Sequence, residues 1–186
     1  MYMNVPNFFS ILRIVSIPLF IILLSYDQNM AALGVFLFAA ATDALDGFFA
    51  RCFKQKTTLG AYLDPIADKL LLTSSFVAFA LLHLIPKWLS ILVVSRDVII
   101  SMGILILRLN TFPIEIRPSI LSKFTTVFQL IAIGIALLVN ILEKDFFAVH
   151  FVYWLCGFLT IASGMHYIFR GLKIVNERDN RTGGGL

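Results

Sequence analysis

Three features of this 186-residue chain point to an all-α integral membrane protein with six transmembrane helices. Hydrophobic residues make up 59% of it and charged residues only 14%, whereas a soluble domain is nearer half apolar and a quarter charged. Mean hydropathy is +0.90. The apolar residues are gathered into six stretches, at 8–25, 30–50, 60–85, 88–108, 119–142 and 147–169, each near the length of about 20 residues that a helix needs to cross the hydrocarbon layer. Eighteen phenylalanines suit surfaces that face lipid or a neighbouring helix.

The first stretch carries Pro6 and Arg13 near its start, so a short N-terminal interfacial helix is expected to lie along the membrane surface before the chain enters the bilayer. No Lys or Arg precedes this apolar run and no small-residue cleavage site follows it, so it does not read as a cleavable signal. Polar or proline-bearing breaks then separate the spans: Tyr26 to Asn29, Arg51 to Thr58, Pro86 and Lys87, Asn110 to Pro118, and Glu143 to Asp145. Residues 1–176 are expected to form one six-helix membrane domain, and residues 177–186, ending in TGGGL, a disordered polar tail. There is no repeat and no separate soluble domain.

The cations set the expected orientation. Ten of them (Arg51, Lys54, Lys56, Arg108, Arg117, Lys123, Arg170, Lys173, Arg178 and Arg181) lie in or beside loops 2–3 and 4–5 and the C-terminus, against Lys87 and Lys144 in the opposing turns. By the positive-inside rule both termini are cytoplasmic. The net charge of +4 is then topological, matched to an anionic leaflet, and no basic-plus-aromatic patch suits nucleic acid.

Against this apolar background, Asp43, Asp46, Asp64 and Asp68 stand out. An aspartate at the centre of a membrane helix costs roughly 2.5–3.5 kcal/mol on insertion scales, so four without compensation cost on the order of 10 kcal/mol or more. The orientation puts Asp43 and Asp46 in the last turns of span 2 and Asp64 and Asp68 in the first turns of span 3, all roughly 5–12 Å inside the cytoplasmic boundary at about 1.5 Å per residue. Residues 43, 46, 47 and 50 follow i, i+3, i+4, i+7 on one helical face, and 60, 64 and 68 stack on another. Gly47, Ala50 and Gly60 remove side-chain bulk where something must approach the backbone. Hard oxygen donors with no nearby Cys or His select Mg²⁺ or Mn²⁺, with Ca²⁺ as a third candidate, over zinc. Magnesium shared between carboxylates and substrate phosphates is the usual arrangement for phosphoryl transfer. Arg51, just past the acids, either neutralises a phosphate or is an interfacial charge. Pro65 either kinks span 3 or marks its restart.

A second polar set comprises Arg96 and Asp97 inside span 4, and Ser122, Lys123, Thr126 and Gln129 at the start of span 5. Two readings of Arg96 stand: a structural pair with Asp97 that locks span 4 to its neighbours, or, with Lys123 and Arg117, a pocket for an anionic acceptor. Cys52 and Cys156 form no disulfide framework and read as packing thiols. His83, His150 and His166 read as packing or interfacial residues.

The run from Asp43 to Asp68, D-x2-D-G-x2-A-R-x8-G-x3-D-x3-D, resembles the signature of the CDP-alcohol phosphatidyltransferase family at every motif position. The start NVPNFFSILR is similar to the family's N-terminal P-N-x-x-[ST]-x-x-R segment, so the likeness covers nearly the whole chain. The resemblance implies a six-helix membrane enzyme, usually a homodimer, that transfers a phosphatidyl group from CDP-diacylglycerol to an alcohol and releases CMP. It further implies that Asp43, Asp46, Asp64 and Asp68 hold one or two Mg²⁺ or Mn²⁺ ions on the diphosphate. Asp68 is also the general base, and Gly47, Ala50, Arg51 and Gly60 line the nucleotide site.

SRDVIIS in span 4 and SKFTTVFQ entering span 5 look more like CDP-dependent cardiolipin synthases, with R-D and S-K-x-x-T-x-x-Q, than phosphatidylglycerophosphate synthases, which more often show R-E and G-K-x-K-T. Asp97 and Ser122 therefore tilt the expected acceptor toward phosphatidylglycerol over glycerol 3-phosphate. A cation transporter is the rival from another class, and it would need a polar path to the far side that 31–41 and 76–82 do not provide. The expected location is a bacterial-type inner membrane, with the active site facing the cytoplasm.

Overall fold

The computed structural model describes the backbone of residues 5–53, 58–109, 120–143 and 147–183, and side chains for residues 11–42, 67, 69–106, 109, 120–143, 147–173 and 176. These residues form six α-helices: α1 (Val5–Ser25), α2 (Asn29–Phe53), α3 (Thr58–Leu81), α4 (Lys87–Leu109), α5 (Ile120–Leu142) and α6 (Phe147–Gly183). The architecture is all-helical, as composition predicts.

Three of the helices are long and apolar enough to cross a membrane, over Lys87–Ile106, Ile120–Leu142 and Phe147–Lys173. The described apolar parts of α1, α2 and α3 are shorter: Ile11–Ser25, Asn29–Thr42 and Lys69–Leu81. Large apolar side chains are exposed along the helices, among them Ile91, Phe147, Phe151, Trp154 and Phe158, a surface suited to lipid and not to water.

α1 and α5 stop at the expected breaks, whereas α3 stops at Leu81, ahead of the break expected at Pro86, and two stops use the same device. At the end of α1, Asp27 takes a left-handed conformation (φ 57°), its N–H donates to Leu24 O, and the Gln28 N–H reaches back to Leu23 O at 2.9 Å. At the end of α3, His83 (φ 59°) does the same, with the Leu84 N–H donating to Phe79 O at 2.8 Å. Both are Schellman turns that satisfy the last carbonyls without a glycine. Glu143, just past α5, is also left-handed (φ 51°).

Three expectations about the ends need correction. A separate N-terminal interfacial helix is not seen among the described residues, because α1 is one continuous helix from Val5. Pro6 falls in its first turn, where a missing N–H breaks no helical bond. Nor does Pro65 mark a restart, since α3 is helical without interruption from Thr58. The chain beyond 176 is not a disordered tail from the outset, because α6 continues to Gly183. Residues 177–182 contain no helix breaker, and the first strong one is the glycine run.

The chain divides into two compact units, Met1–Lys87 with Ile133–Val149, and Trp88–Ala132 with His150–Leu186. In the first, α1 packs against both α2 and α3. Arg13, Ser16, Ile17, Phe20 and Leu24 form its buried stripe. The Phe20 ring lies 5.8 Å from Phe36 and 6.0 Å from Phe79, centroid to centroid, and Ile17, Ala39 and Leu71 make one buried cluster with Ile21 against it. The buried hydroxyls of this unit donate to carbonyls of their own helices: Ser16 to Leu12, Thr42 to Ala39, and Ser75 to Leu71, so they cost little in an apolar setting.

In the second unit Trp88 of α4 stacks on Trp154 of α6 with centroids 4.9 Å apart. Gly157 is required there, because a Cβ on it would lie 2.7 Å from Trp88 Cζ3. Further along, Thr125 donates to Leu121 O and sits 3.2 Å from Leu159 O of α6, and Gln129 Nε2 reaches Thr160 Oγ1 at 3.4 Å. Small and hydroxylated residues at such contacts let membrane helices approach closely.

Candidate active site

The eight motif residues are carried by the two helices that flank residues 54–57. Asp43, Asp46, Gly47, Ala50 and Arg51 lie in the C-terminal half of α2, and Gly60, Asp64 and Asp68 in the first turns of α3. Their side chains are outside the described residues, but the helical register that carries them is described. On α2 the buried stripe runs Ala32, Phe36, Ala39, and the same steps of three and four continue it to positions 43, 46 and 50. On α3 the buried residues Phe79, Ser75 and Leu71 extend backwards to positions 68 and 64. Positions 43, 46, 64 and 68 thus continue, by helical register, the faces of those two stripes, on helices that each pack on α1. An all-carboxylate donor set of this kind fits a hard divalent cation. Among the described residues no group of three or more His, Cys, Asp or Glu could hold a metal.

Arg13 is the residue that sequence reasoning passed over. It appeared there only as a charge near the start of the first stretch and as a position in the N-terminal segment. In the structure it is 1% exposed, the largest of the fully buried side chains, on the stripe of α1 that packs against α2 and α3. The signal was present in the spacing, since Arg13, Ile17, Phe20 and Leu24 share one helical face.

The second polar set resolves into a lock. Arg96, 9% exposed, pairs through Nη1 with Asp97 Oδ1 at 2.6 Å. Its Nη2 donates to Ser122 Oγ of α5 at 2.8 Å and to Ser163 Oγ of α6 at 2.7 Å. One guanidinium therefore ties α4, α5 and α6 together, and only Nε is left buried without a hydrogen-bond partner. Of the two readings of Arg96, this geometry is that of the structural pair. Lys123 is exposed, and the partners of Arg96 are Asp97, Ser122 and Ser163. Arg117 lies outside the described residues, so the three residues expected at an acceptor pocket are not seen together. Ser163 was not singled out from sequence, where a lone serine in an apolar helix carries no distinguishing signal.

The remaining expectations are modest. Cys156 is a buried free thiol, in keeping with a packing role, and Cys52 lies outside the described side chains. His83 caps α3, while His150 and His166 are exposed.

Comparison with known proteins identifies the family. Over 189 residues the chain is 32% identical to the CMP-forming cardiolipin synthase of Rattus norvegicus, covering 92% of this chain and 63% of that protein. It is 34% identical over 180 residues to a cardiolipin synthase (CMP-forming)/mitochondrial hydrolase fusion protein of Schizosaccharomyces pombe, covering 88% of this chain and 30% of that protein. It is also 30% identical over 184 residues to the CDP-diacylglycerol–glycerol-3-phosphate 3-phosphatidyltransferase of Bacillus subtilis, covering 88% of this chain and 93% of that protein. The chain thus spans less than two thirds of the length of the first two. The profile described as CDP-alcohol phosphatidyltransferase matches residues 3–162, which include all eight motif positions, and the chain belongs to the CDP-alcohol phosphatidyltransferase family.

Proposed function

We propose that this protein transfers a phosphatidyl group from CDP-diacylglycerol to a glycerol-based alcohol and releases CMP. The observation that carries this reading is the unbroken motif from Asp43 to Asp68, carried on two helices that each pack on α1. Asp43, Asp46, Asp64 and Asp68 hold one or two divalent ions, Mg²⁺ or Mn²⁺. A divalent ion held by these four residues would supply electrostatic stabilisation for the negative charge that develops on the diphosphate. Gly47, Ala50 and Gly60 leave room for the nucleotide, and Arg51 neutralises a phosphate. Asp68 accepts the proton of the acceptor hydroxyl, whose oxygen attacks the lipid-side phosphorus. The phosphoanhydride bond to CMP breaks as the new phosphodiester bond forms, and CMP leaves with the electron pair of that bond. With six spans and both termini cytoplasmic, the reacting phosphates lie just below the headgroup boundary. CMP can then depart to water while the acyl chains remain in lipid.

Phosphatidylglycerol is the acceptor we favour. The support is that the two positions setting this chain apart from the glycerol 3-phosphate pattern, Asp97 and Ser122, are both partners of Arg96. In this reading Arg96 fixes the seam on which Lys123 stands, and Lys123 with Arg117 attracts the acceptor's phosphate. A homodimer in the membrane is the expected assembly. The test is purified enzyme given CDP-diacylglycerol and each acceptor in turn. Cardiolipin from phosphatidylglycerol supports the reading, and turnover with glycerol 3-phosphate alone assigns the second activity instead.

A further inference from the structure

The buried residues of the first unit fall into layers that can be counted from the α1–α2 turn. Leu24 and Ala32, Phe20 and Phe36, and Ile17 and Ala39 are buried at positions symmetric about Gln28, and Leu71 joins the last pair from α3. One helical turn further along each stripe are Arg13 on α1, Asp43 on α2, and Ala67 and Asp68 on α3. Ala67 is fully buried. Of the four acids, Asp43 and Asp68 are those nearest the apolar layers, with Asp46 and Asp64 one turn nearer the helix ends that carry the motif. A guanidinium keeps its proton at any working pH, so Arg13 places a permanent positive charge in this layer. An uncompensated charge there is strongly destabilising, and so is a pair of uncompensated carboxylates.

From this register we infer that Arg13 is a positioning residue of the acidic site, the built-in counterion of the deep pair Asp43 and Asp68. The inference rests on the proposed role of those aspartates as metal ligands. Arg13 holds the two carboxylates in place before any metal or nucleotide arrives. Because it repels a divalent cation, it also limits how tightly the site retains one.

The test uses the full chain in lipid nanodiscs, with Mn²⁺ binding followed by electron paramagnetic resonance in the absence of nucleotide and thermal unfolding measured in parallel. Arg13→Gln is expected to bind Mn²⁺ about tenfold tighter or more, because a repelling charge has gone. Arg13→Lys is expected to stay within about threefold of the parent protein. Arg13→Gln should also lower the unfolding midpoint by about 5 °C or more, and Asp43→Asn should raise the midpoint more in the Arg13→Gln background than in the parent protein, the signature of a coupled pair. A folded Arg13→Gln protein with unchanged Mn²⁺ affinity, or an Asp43→Asn effect on the midpoint that is the same in both backgrounds, overturns the inference. Should Arg13→Gln fail to fold, the double variant decides: a folded one supports the pairing and an unfolded one overturns it. If the parent protein binds Mn²⁺ while Arg13→Gln leaves the affinity unmoved, only the role of Arg13 is lost. A parent protein that binds no Mn²⁺ removes the metal reading, and this inference with it.

Discussion

The two units bury charge in opposite ways. In the second, Arg96 and Asp97 arrive as neighbours, pair at 2.6 Å, and are completed by Ser122 and Ser163 from two other helices. Their charge is balanced within the structure and almost every polar atom has a partner. In the first, on the proposed reading, the motif gathers four like charges on two helices, more than Arg13 alone offsets. A self-neutralised cluster locks helices together, whereas a cluster with excess charge of one sign is built for something that arrives from outside. The same cost of burying ions in an apolar medium therefore distinguishes a joint from a site.

This contrast predicts that the two clusters fail differently. Asp68→Asn or Asp64→Asn should reduce CMP release by about 10³-fold or more, while the unfolding midpoint holds or rises as like-charge repulsion is relieved. Arg96→Gln should do the reverse. It strands Asp97 in the apolar seam and is expected to cost about 3–5 kcal/mol of stability, with any activity loss following unfolding. Equal destabilisation by both substitutions would erase the distinction. Gly157→Ala is next in size, at roughly 1–3 kcal/mol, because the new methyl collides with the Trp88 ring; thermal unfolding with intact Trp88–Trp154 packing would contradict it. Gln129→Leu is the mildest, about 0.6 kcal/mol or less, since it removes only a long 3.4 Å contact to Thr160.

The helix boundaries were legible because they rest on local chemistry. Polar breaks at Tyr26–Asn29 and Glu143 end helices where the sequence expects, the first closed by left-handed Asp27, while α3 ends at Leu81 and is closed by left-handed His83 before Pro86 is reached. The ends of the chain were less legible. Pro6 reads as a break in a hydropathy pattern, yet at a helix start proline costs nothing, and α1 runs through it. Residues 177–182 read as a tail because they are polar, but polarity alone does not stop a helix, and α6 continues.

The candidate site shows the same division. Four acids at helical spacing announce themselves in an apolar chain, as does an intramembrane Arg96 beside Asp97. Ser163 does not, because a hydroxyl that can satisfy itself on its own helix reveals a partner on another helix only in three dimensions. Arg13 falls between: its spacing with Ile17 and Phe20 was readable, but what faces that stripe depends on how α1 packs against α2 and α3.

The most direct test of the central claim is CMP release by the purified enzyme from CDP-diacylglycerol and its acceptor, measured after chelation and again after Mg²⁺ is restored. The account predicts that release falls to background with chelator and returns with Mg²⁺ in the parent protein, but not in Asp64→Asn. Undiminished release in the presence of chelator would contradict it.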